Sequence, residues 1–532
     1  MKKISLDISF FVIVFLFLIF ALSNIGFIFN IPVNYSYILI SLVIPFSVIF
    51  KTKGLKHSLL IFFSFIAIFI LSLIFANLFI DTSFDGRCYH FTIENLFKLG
   101  YNPIYQDITT FANKNNIFYN LLFAGSYPNF AELIRSNFYL LFCNMESSKV
   151  INFLFIFLGG FYSYYFFRVN KLNKIKSLIL SFCIFLCPVV ICQMNTKMVD
   201  FILYYIFLIQ LFSLSLIQNK KNIKINTVFL VIASIMAVGT KYTGVLNTFI
   251  IFAFYLFINH SKQKLKVFLA FLILGFSLCF QPYVTNIVKF KNPFYPSIGY
   301  NKLDFMTKQN PIEFDKKPYM YKFIRSMFSS ASDSRIGNPE TPPIFWKIPF
   351  TNHFDMPFIS EDVRLSGFGH LYSGIFILTI LGSLFLFRKK KYAILLSIIY
   401  LSTFLNPVCW WARFVPWLYL SSVTVLFFFR KNNIIFYILS VLLILNGLWT
   451  AKENISVTAY KTYVMNNFYN NLYGKKISVY MDKTPYDEDD ASILPRMTEY
   501  GIDYQLSDKK DNFYKKIKTD CTITKSYYIK EN

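Results

Sequence analysis

Long apolar runs joined by short basic connections constrain this chain more than any other feature. Runs of about 15 to 24 residues, near the length that crosses a bilayer, fall at approximately 8–30, 34–50, 57–80, 150–168, 177–193, 200–217, 226–239, 243–259, 267–288, 371–388, 392–407, 412–429 and 434–450. Such runs have to fold as helices in lipid, because a helix satisfies its own backbone groups where water is absent. The expected fold is an all-α polytopic membrane protein of about thirteen transmembrane helices. The runs 226–239 and 243–259 read either as two spans or as one re-entrant hairpin. Composition agrees, since 15% of residues are charged against roughly 25% in ordinary soluble domains.

A net charge of +25 would, in a soluble protein, point to nucleic acid. Here the positions of the charges argue otherwise. Every second connection is short and basic: Lys51, Lys53 and Lys56; Arg168, Lys171, Lys174 and Lys176; Lys220, Lys221 and Lys224; Lys262, Lys264 and Lys266; Arg388 to Lys391; Arg430 and Lys431. With Lys2 and Lys3 they are opposed on that side by Asp7 alone. Short loops rich in Lys and Arg stay in the cytoplasm, so the basicity is a topology signal, and no nucleic-acid partner is expected.

The orientation follows, with the N-terminus cytoplasmic, an odd number of spans, and everything after Trp449 external. The first run reads as a retained span, being too long for an apolar signal core. The expected organisation is N-terminal membrane helices over 1–56, a transmembrane domain over 57–450 with external loops 81–149 and 289–370, and an external domain over 451–532. Within that last part, alternating stretches predict strands near 477–481, 502–507 and 522–529 and a helix near 488–500, a small α/β domain. The run Asp487-Glu488-Asp489-Asp490 reads as an acidic helix start or solvated loop.

Eight cysteines carry no CxxC and no His at metal spacing, which argues against a structural zinc site. Cys183 and Cys187 read as packing residues within a span. The span interiors hold essentially no ionisable residues, only Gln210, Gln281 and Asn446 as amides. Ion-coupled carriers need such groups at membrane depth, so chemistry is expected at the outer interface.

The strongest constellation there is Asp81-Thr82-Ser83-Phe84-Asp85-Gly86-Arg87-Cys88-Tyr89-His90. Two carboxylates four residues apart, with an Arg and a His beside them, can keep one carboxylate ionised as a general base for an acceptor hydroxyl. The alternative is that Asp81 and Asp85 cap the helix end and first loop turn. Gly100-Tyr101-Asn102-Pro103 and Tyr127-Pro128 with Glu132 follow. Further along come Val199-Asp200, Gly239-Thr240-Lys241-Tyr242-Thr243-Gly244, Asn292-Pro293-Phe294-Tyr295-Pro296 and Trp410-Trp411-Ala412-Arg413-Phe414-Val415-Pro416.

In kind and in order these segments resemble the membrane glycosyltransferases of the GT-C fold that use polyprenyl-phosphate sugars, in particular the family 39-like bacterial members. The likeness covers roughly residues 57–450, and the C-terminal domain matches nothing in it. It departs where three spans precede the first external loop and where Gly86 stands beside the key Asp. The resemblance implies an inverting sugar transfer from a polyprenyl-phosphate donor to a cell-envelope glycan or lipid acceptor, at the external face of a bacterial inner membrane.

It implies Asp85, with Asp81 and His90, as the catalytic group, the Tyr-His spacing favouring Asp85 as base. Arg413 and Lys241, both expected at the outer interface, are candidate cations for the donor phosphate, the alternatives being an aromatic-belt anchor for Arg413 and a snorkelling side chain for Lys241. Arg87 is a further candidate cation, and Tyr89, Glu132 and Asp200 are candidate substrate-binding residues. His90 either orients Asp85 or the sugar phosphate or is a structural loop histidine. The donor phosphate gathers charge as it leaves, which positioned cations must meet.

No cofactor is required on this reading. A divalent cation, Mg or Mn, held by Asp81, Asp85, Asp200 and Glu132 is an option that the resemblance leaves open. The aromatic run Phe161 to Phe167 either lines a groove for the lipid tail or packs between helices, and the loop 289–370, with Arg325, Arg335, Arg364 and His370, can cover the site. Two other classes fit the topology: a surface-polysaccharide polymerase or ligase with an Arg-rich external loop, and a flippase or other transporter of lipid-linked oligosaccharides.

Overall fold

The computed structural model describes residues 1–259, 261–303, 310–329, 346–351, 361–482, 489–510, 514–517 and 527–531. Seven of its helices are long and apolar enough to cross a membrane: Lys2–Ile28, Ser36–Lys53, Leu55–Asn77, Glu146–Val169, Asp200–Gln218, Ile223–Thr240 and Asn433–Leu472. An eighth span is available if Lys264–Leu278 and Phe280–Phe290, bent by 64° at their junction, act together.

The expected count of about thirteen is therefore larger than the set of helices that reach spanning length among the described residues. Several apolar runs break. The run 177–193 divides into Lys174–Phe185 and Pro188–Gln193, because Pro188 removes a donor and starts a new helix. Tyr372–Leu386 and Lys390–Phe404 have 15 residues each, about 22 Å at the helical rise against a hydrocarbon core of about 30 Å. The run 412–429 becomes two short turns and the helix Tyr419–Phe428. Of the doubtful pair, Ile223–Thr240 meets the spanning test and Tyr242–Ile258 is a shorter apolar helix.

Asp200–Gln218 lies at the centre of the bundle, wholly buried, whereas Ser36–Lys53, Leu55–Asn77 and Asn433–Leu472 are peripheral. These outer helices expose Leu39, Val43, Phe63, Ile70, Ile434 and Ile438. An apolar exterior of that kind needs lipid rather than water around it.

The aromatic run settles on packing. Tyr162 and Tyr164 to Phe167 are buried, Phe166 stacks on Phe212 at 3.9 Å, and the Tyr162 hydroxyl lies 2.6 Å from Ser213 Oγ. Gln210 likewise donates through Nε2 to Ser234 and Thr248 at 3.1 and 3.0 Å, which ties three helices together inside the core. Asp7 is paired with Lys53 and with His57 at 2.9 Å, which fastens the first helix to the turn between the next two.

Near the C-terminus four strands form one sheet: β1 (Ile477–Met481), β2 (Tyr504–Ser507), β3 (Lys515–Lys516) and β4 (Tyr527–Glu531), in the order β2-β1-β4-β3. β1 runs parallel to β2 and antiparallel to β4. Ile477, Val479 and Met481 alternate inward on β1 and pack on Ile493 and Met497 of the helix Ile493–Glu499. The first expected strand is present at its expected bounds, the second strand and the helix are shorter, the last strand is described over Tyr527–Glu531, and β3 was not expected.

Asp487, Glu488, Cys521 and the stretch 522–526 lie outside the described residues. Asp489 and Asp490 are fully buried, not solvated, because this sheet docks on the loop that follows Leu55–Asn77. Cys183 and Cys187 are buried free thiols.

Candidate functional site

The site is assembled by three stretches with no long regular structure of their own. After Leu55–Asn77 the chain runs without regular structure to Ser83 and then makes a wide turn over Gly86–His90, in which Cys88 leaves helical geometry (φ −80°, ψ −107°). Gly86 is required by this turn: a Cβ there would collide with the Asp81 carboxylate and the Ser83 hydroxyl.

Asp81 is 1% exposed and its carboxylate is consumed by structure. It accepts hydrogen bonds from the Ser83 amide at 2.9 Å, the Ser83 hydroxyl at 2.7 Å and the Lys197 amide at 2.7 Å. Asp81 therefore staples the turn to the segment leading into Asp200–Gln218 and does not share a site with Asp85.

Asp85 points the other way. Its Oδ2 accepts from Arg413 Nη1 at 2.7 Å, and its side chain keeps 20% exposure. Burial pushes the Asp85 carboxyl up, but Arg413, His90 and Arg364 together hold it below the usual value.

Arg413 is gripped on its other side by Asp362, whose Oδ1 lies 3.0 Å from Nε, and Asp362 is also paired with Arg364. Backbone bonds explain the meeting, since the amides of Ala412 and Arg413 each donate at 2.9 Å to the carbonyls of Arg364 and Val363. The Trp410-to-Pro416 segment and the end of the second long loop are thereby paired. Arg364 lies over the Trp411 ring at 4.6 Å, and Trp411 stacks on Phe414 at 5.3 Å.

A second ion pair adjoins the first. Lys241, at the break between Ile223–Thr240 and Tyr242–Ile258, is paired with Asp200. Its Nζ is 4.1 Å from the centre of the Phe414 ring, which Arg413 also approaches at 5.1 Å. Asp200 is fixed by Gln193, whose Nε2 donates at 3.1 Å. Three cations, Arg413, Arg364 and Lys241, thus gather around one Trp-Phe platform beside Asp85.

Of the remaining expected residues, His90 is bound through Nδ1 to Glu132 Oε1 at 2.5 Å and so orients on Glu132 rather than on Asp85. Glu132 is nearly fully buried, with Arg135 at 3.9 Å. Tyr89 packs against the rings of His90 at 4.3 Å and Tyr127 at 5.4 Å.

Arg87 corrects the expectation of a third phosphate cation on this loop. It is 2% exposed on its side chain and paired at 2.7 Å with Asp490 of the C-terminal sheet unit, turned away from Arg413. Nor do Asp81, Asp85, Asp200 and Glu132 converge. Among the described residues no three His, Cys, Asp or Glu side chains form a group able to hold a metal ion.

No family model, curated protein or solved structure matches this chain. The resemblance therefore stands on its own residues.

The structure also adds Asp362, Arg364 and Gln193. Arg364 sat among the charges of the second long loop, and neither Asp362 nor Gln193 carried a motif that marked it. Arg325 and His370 from the same loop go elsewhere, to Glu313 at 3.3 Å and Glu453 at 2.7 Å. Arg335 lies outside the described residues.

Proposed function

We propose that this protein is a GT-C-type membrane glycosyltransferase. It transfers a sugar from a polyprenyl-phosphate donor to a cell-envelope glycan or lipid acceptor, at the external face of a bacterial inner membrane. The single observation that carries this reading is the Asp85–Arg413 pair, flanked by Asp362, Arg364 and the Lys241–Asp200 pair. These residues come from segments far apart in the chain, and most of them are ones that the resemblance names.

In this arrangement Arg413 and its neighbours do two things. They meet the negative charge that builds on the departing lipid phosphate. They also keep Asp85 ionised before substrate arrives. An incoming phosphate competes with Asp85 for Arg413, and on losing that bond Asp85 becomes a stronger base. It then takes the acceptor hydroxyl proton while the oxygen attacks the anomeric carbon opposite the phosphate, so the centre inverts. Burial behind Trp411 and Phe414 strengthens both effects by lowering the local dielectric.

One observation favours a second reading. Arg364 brings an arginine of the second long loop to the site, which also suits a polymerase or ligase of surface polysaccharide. The test is sugar transfer from radiolabelled polyprenyl-phosphate sugars by purified protein in liposomes, with Arg413→Ala beside wild type. Donor consumption that falls by ~10²–10³-fold in the variant, the cost of losing one charge-stabilising donor, supports the proposal. Movement of labelled lipid-linked glycan across the bilayer with no donor consumed replaces it with the transporter class. Polymerisation of a lipid-pyrophosphate glycan replaces it with the polymerase class.

A further inference from the structure

Asn433–Leu472 contains 40 residues, about 60 Å of helix, roughly twice the thickness of a hydrocarbon core. Its projecting half touches both walls of the site. Lys461 Nζ lies 2.9 and 3.2 Å from the two carboxylate oxygens of Glu361, the residue before Asp362. One position on, the Thr462 hydroxyl accepts from the Ile80 amide at 3.1 Å, next to Asp81. Lower on the helix Glu453 meets His370 at 2.7 Å.

The sheet unit that follows the helix holds the opposite wall. Asp490 Oδ2 accepts from Arg87 Nη1 at 2.7 Å, with side chains 0% and 2% exposed. Its Oδ1 is occupied by the Ser492 amide at 3.0 Å and hydroxyl at 2.5 Å, so the carboxylate is aimed before Arg87 reaches it. The Ala491 amide donates to the Arg87 carbonyl at 3.2 Å, and Asn120 Nδ2 donates to the Asp489 carbonyl at 2.8 Å.

Arg87 lies two residues after Asp85 in a turn whose Cys88 is not helical. A turn of that kind is held by its contacts, because its own backbone bonds do not repeat cooperatively. Glu361 likewise precedes Asp362 in a stretch without regular structure. The two carboxylates that grip Arg413 are therefore each braced, one or two residues away, by the same C-terminal unit.

We propose that this C-terminal unit is a positioning element for the Asp85–Arg413–Asp362 cluster, acting through Asp490 on Arg87 and through Lys461 on Glu361. Its catalytic consequence rests on the glycosyltransferase reading, while its geometric consequence does not. Asp490→Asn keeps the Ser492 contacts and removes the charge opposite Arg87. Lys461→Met acts at a partly exposed pair, 22% and 13% on the side chains, and leaves the fold intact if the first variant unfolds.

The test uses the full chain in lipid nanodiscs. Amide exchange is followed over 83–91 and 361–366, with Asp200–Gln218 as internal reference, and the pH profile of sugar transfer is recorded. Asp490→Asn raises exchange over 83–91 by on the order of tenfold or more, as expected when one partner of a buried ion pair is removed, and Lys461→Met raises it over 361–366 by roughly two- to fivefold, the scale of a partly exposed pair. In both, the acid limb of the profile moves to higher pH because Arg413 holds Asp85 less firmly, a shift that mere loss of folded protein does not produce.

Unchanged exchange in both segments, or an acid limb that stays in place, overturns the proposal. If wild type transfers no sugar, the glycosyltransferase reading falls and the exchange data alone decide the positioning role.

Discussion

Exchanging Asp85 for Asn keeps the shape of the side chain and removes its charge, and the structure states what that costs. The carboxylate gives up one charge-assisted bond, to Arg413 at 2.7 Å, at a position 20% exposed. Arg413 retains Asp362 at 3.0 Å, a carboxylate that it then shares with Arg364. The stability loss is then about 1–2 kcal/mol, the scale of one hydrogen bond to a charged group, with solvent screening favouring the lower end.

Asp81→Asn is the matched control. Its buried carboxylate accepts from the Ser83 amide, the Ser83 hydroxyl and the Lys197 amide, and an amide turns its own donors toward at least one of these. The expected loss is about 3–5 kcal/mol, as when a buried polar network is broken. The assay pairs apparent unfolding temperature in detergent with sugar transfer per folded molecule. Asp85→Asn should unfold close to wild type and lose transfer by ~10²–10⁴-fold, the contribution of a general base. Asp81→Asn should unfold well below wild type and keep transfer in its folded fraction. Transfer by Asp85→Asn within about threefold of wild type, far inside the range expected for a lost base, would refute the assignment. An Asp81→Asn protein as stable as wild type would refute the structural role given to Asp81.

Three further outcomes follow from the same contacts. Gly86→Ala should destabilise by about 1–3 kcal/mol, the scale of overpacking, and disturb transfer together with stability, since its Cβ meets Asp81 and Ser83; a neutral effect in a melting experiment would mean that the turn rearranges freely. Arg413→Lys retains the charge but cannot reproduce a planar guanidinium that donates to Asp85 through Nη1 while its Nε stays in ion contact with Asp362. Its kcat/KM should fall by ~10–10²-fold relative to wild type, and an equal kcat/KM would remove the two-carboxylate role. Glu499, beside the Met145 amide at 2.8 Å, is pushed by burial from 4.5 up to about 7. Between those pH values the folded chain holds a proton that the unfolded chain has released, so this contribution to stability is full below about 4.5 and is lost as pH rises through about 7. Unfolding temperatures recorded from pH 5.5 to 8.5 should fall less steeply in Glu499→Gln than in wild type, and parallel curves would contradict the assignment.

The comparison of sequence with structure is uneven in an instructive way. Apolar length located the long helices, but it could not see where a run breaks, because a break at Pro188 or Leu405 leaves hydropathy unchanged while ending the hydrogen-bond ladder. Motif spacing brought Asp85 and Arg413 under suspicion, and they touch. It grouped Asp81 and Arg87 with them, and they face elsewhere. Direction around an irregular turn depends on φ and ψ at Ser83, Gly86 and Cys88, which no periodicity encodes. Asp362 had no motif at all, since its role comes from backbone pairing between Val363-Arg364 and Ala412-Arg413.

The sequence by itself determined that this chain needs lipid. Its apolar runs cannot be hidden in a water-soluble fold of this size, and the peripheral helices accordingly leave large apolar side chains exposed. It also determined that ionisable groups avoid the bundle core and collect at its ends, because a charge at membrane depth costs several kcal/mol. Which charges meet was decided only by tertiary structure. Ion pairs such as Asp85–Arg413 and Arg87–Asp490 join residues more than 300 positions apart, and selection among the 28 acidic and 53 basic residues rests on burial. Partners taken out of water together are compensated, and a charge taken out alone is not.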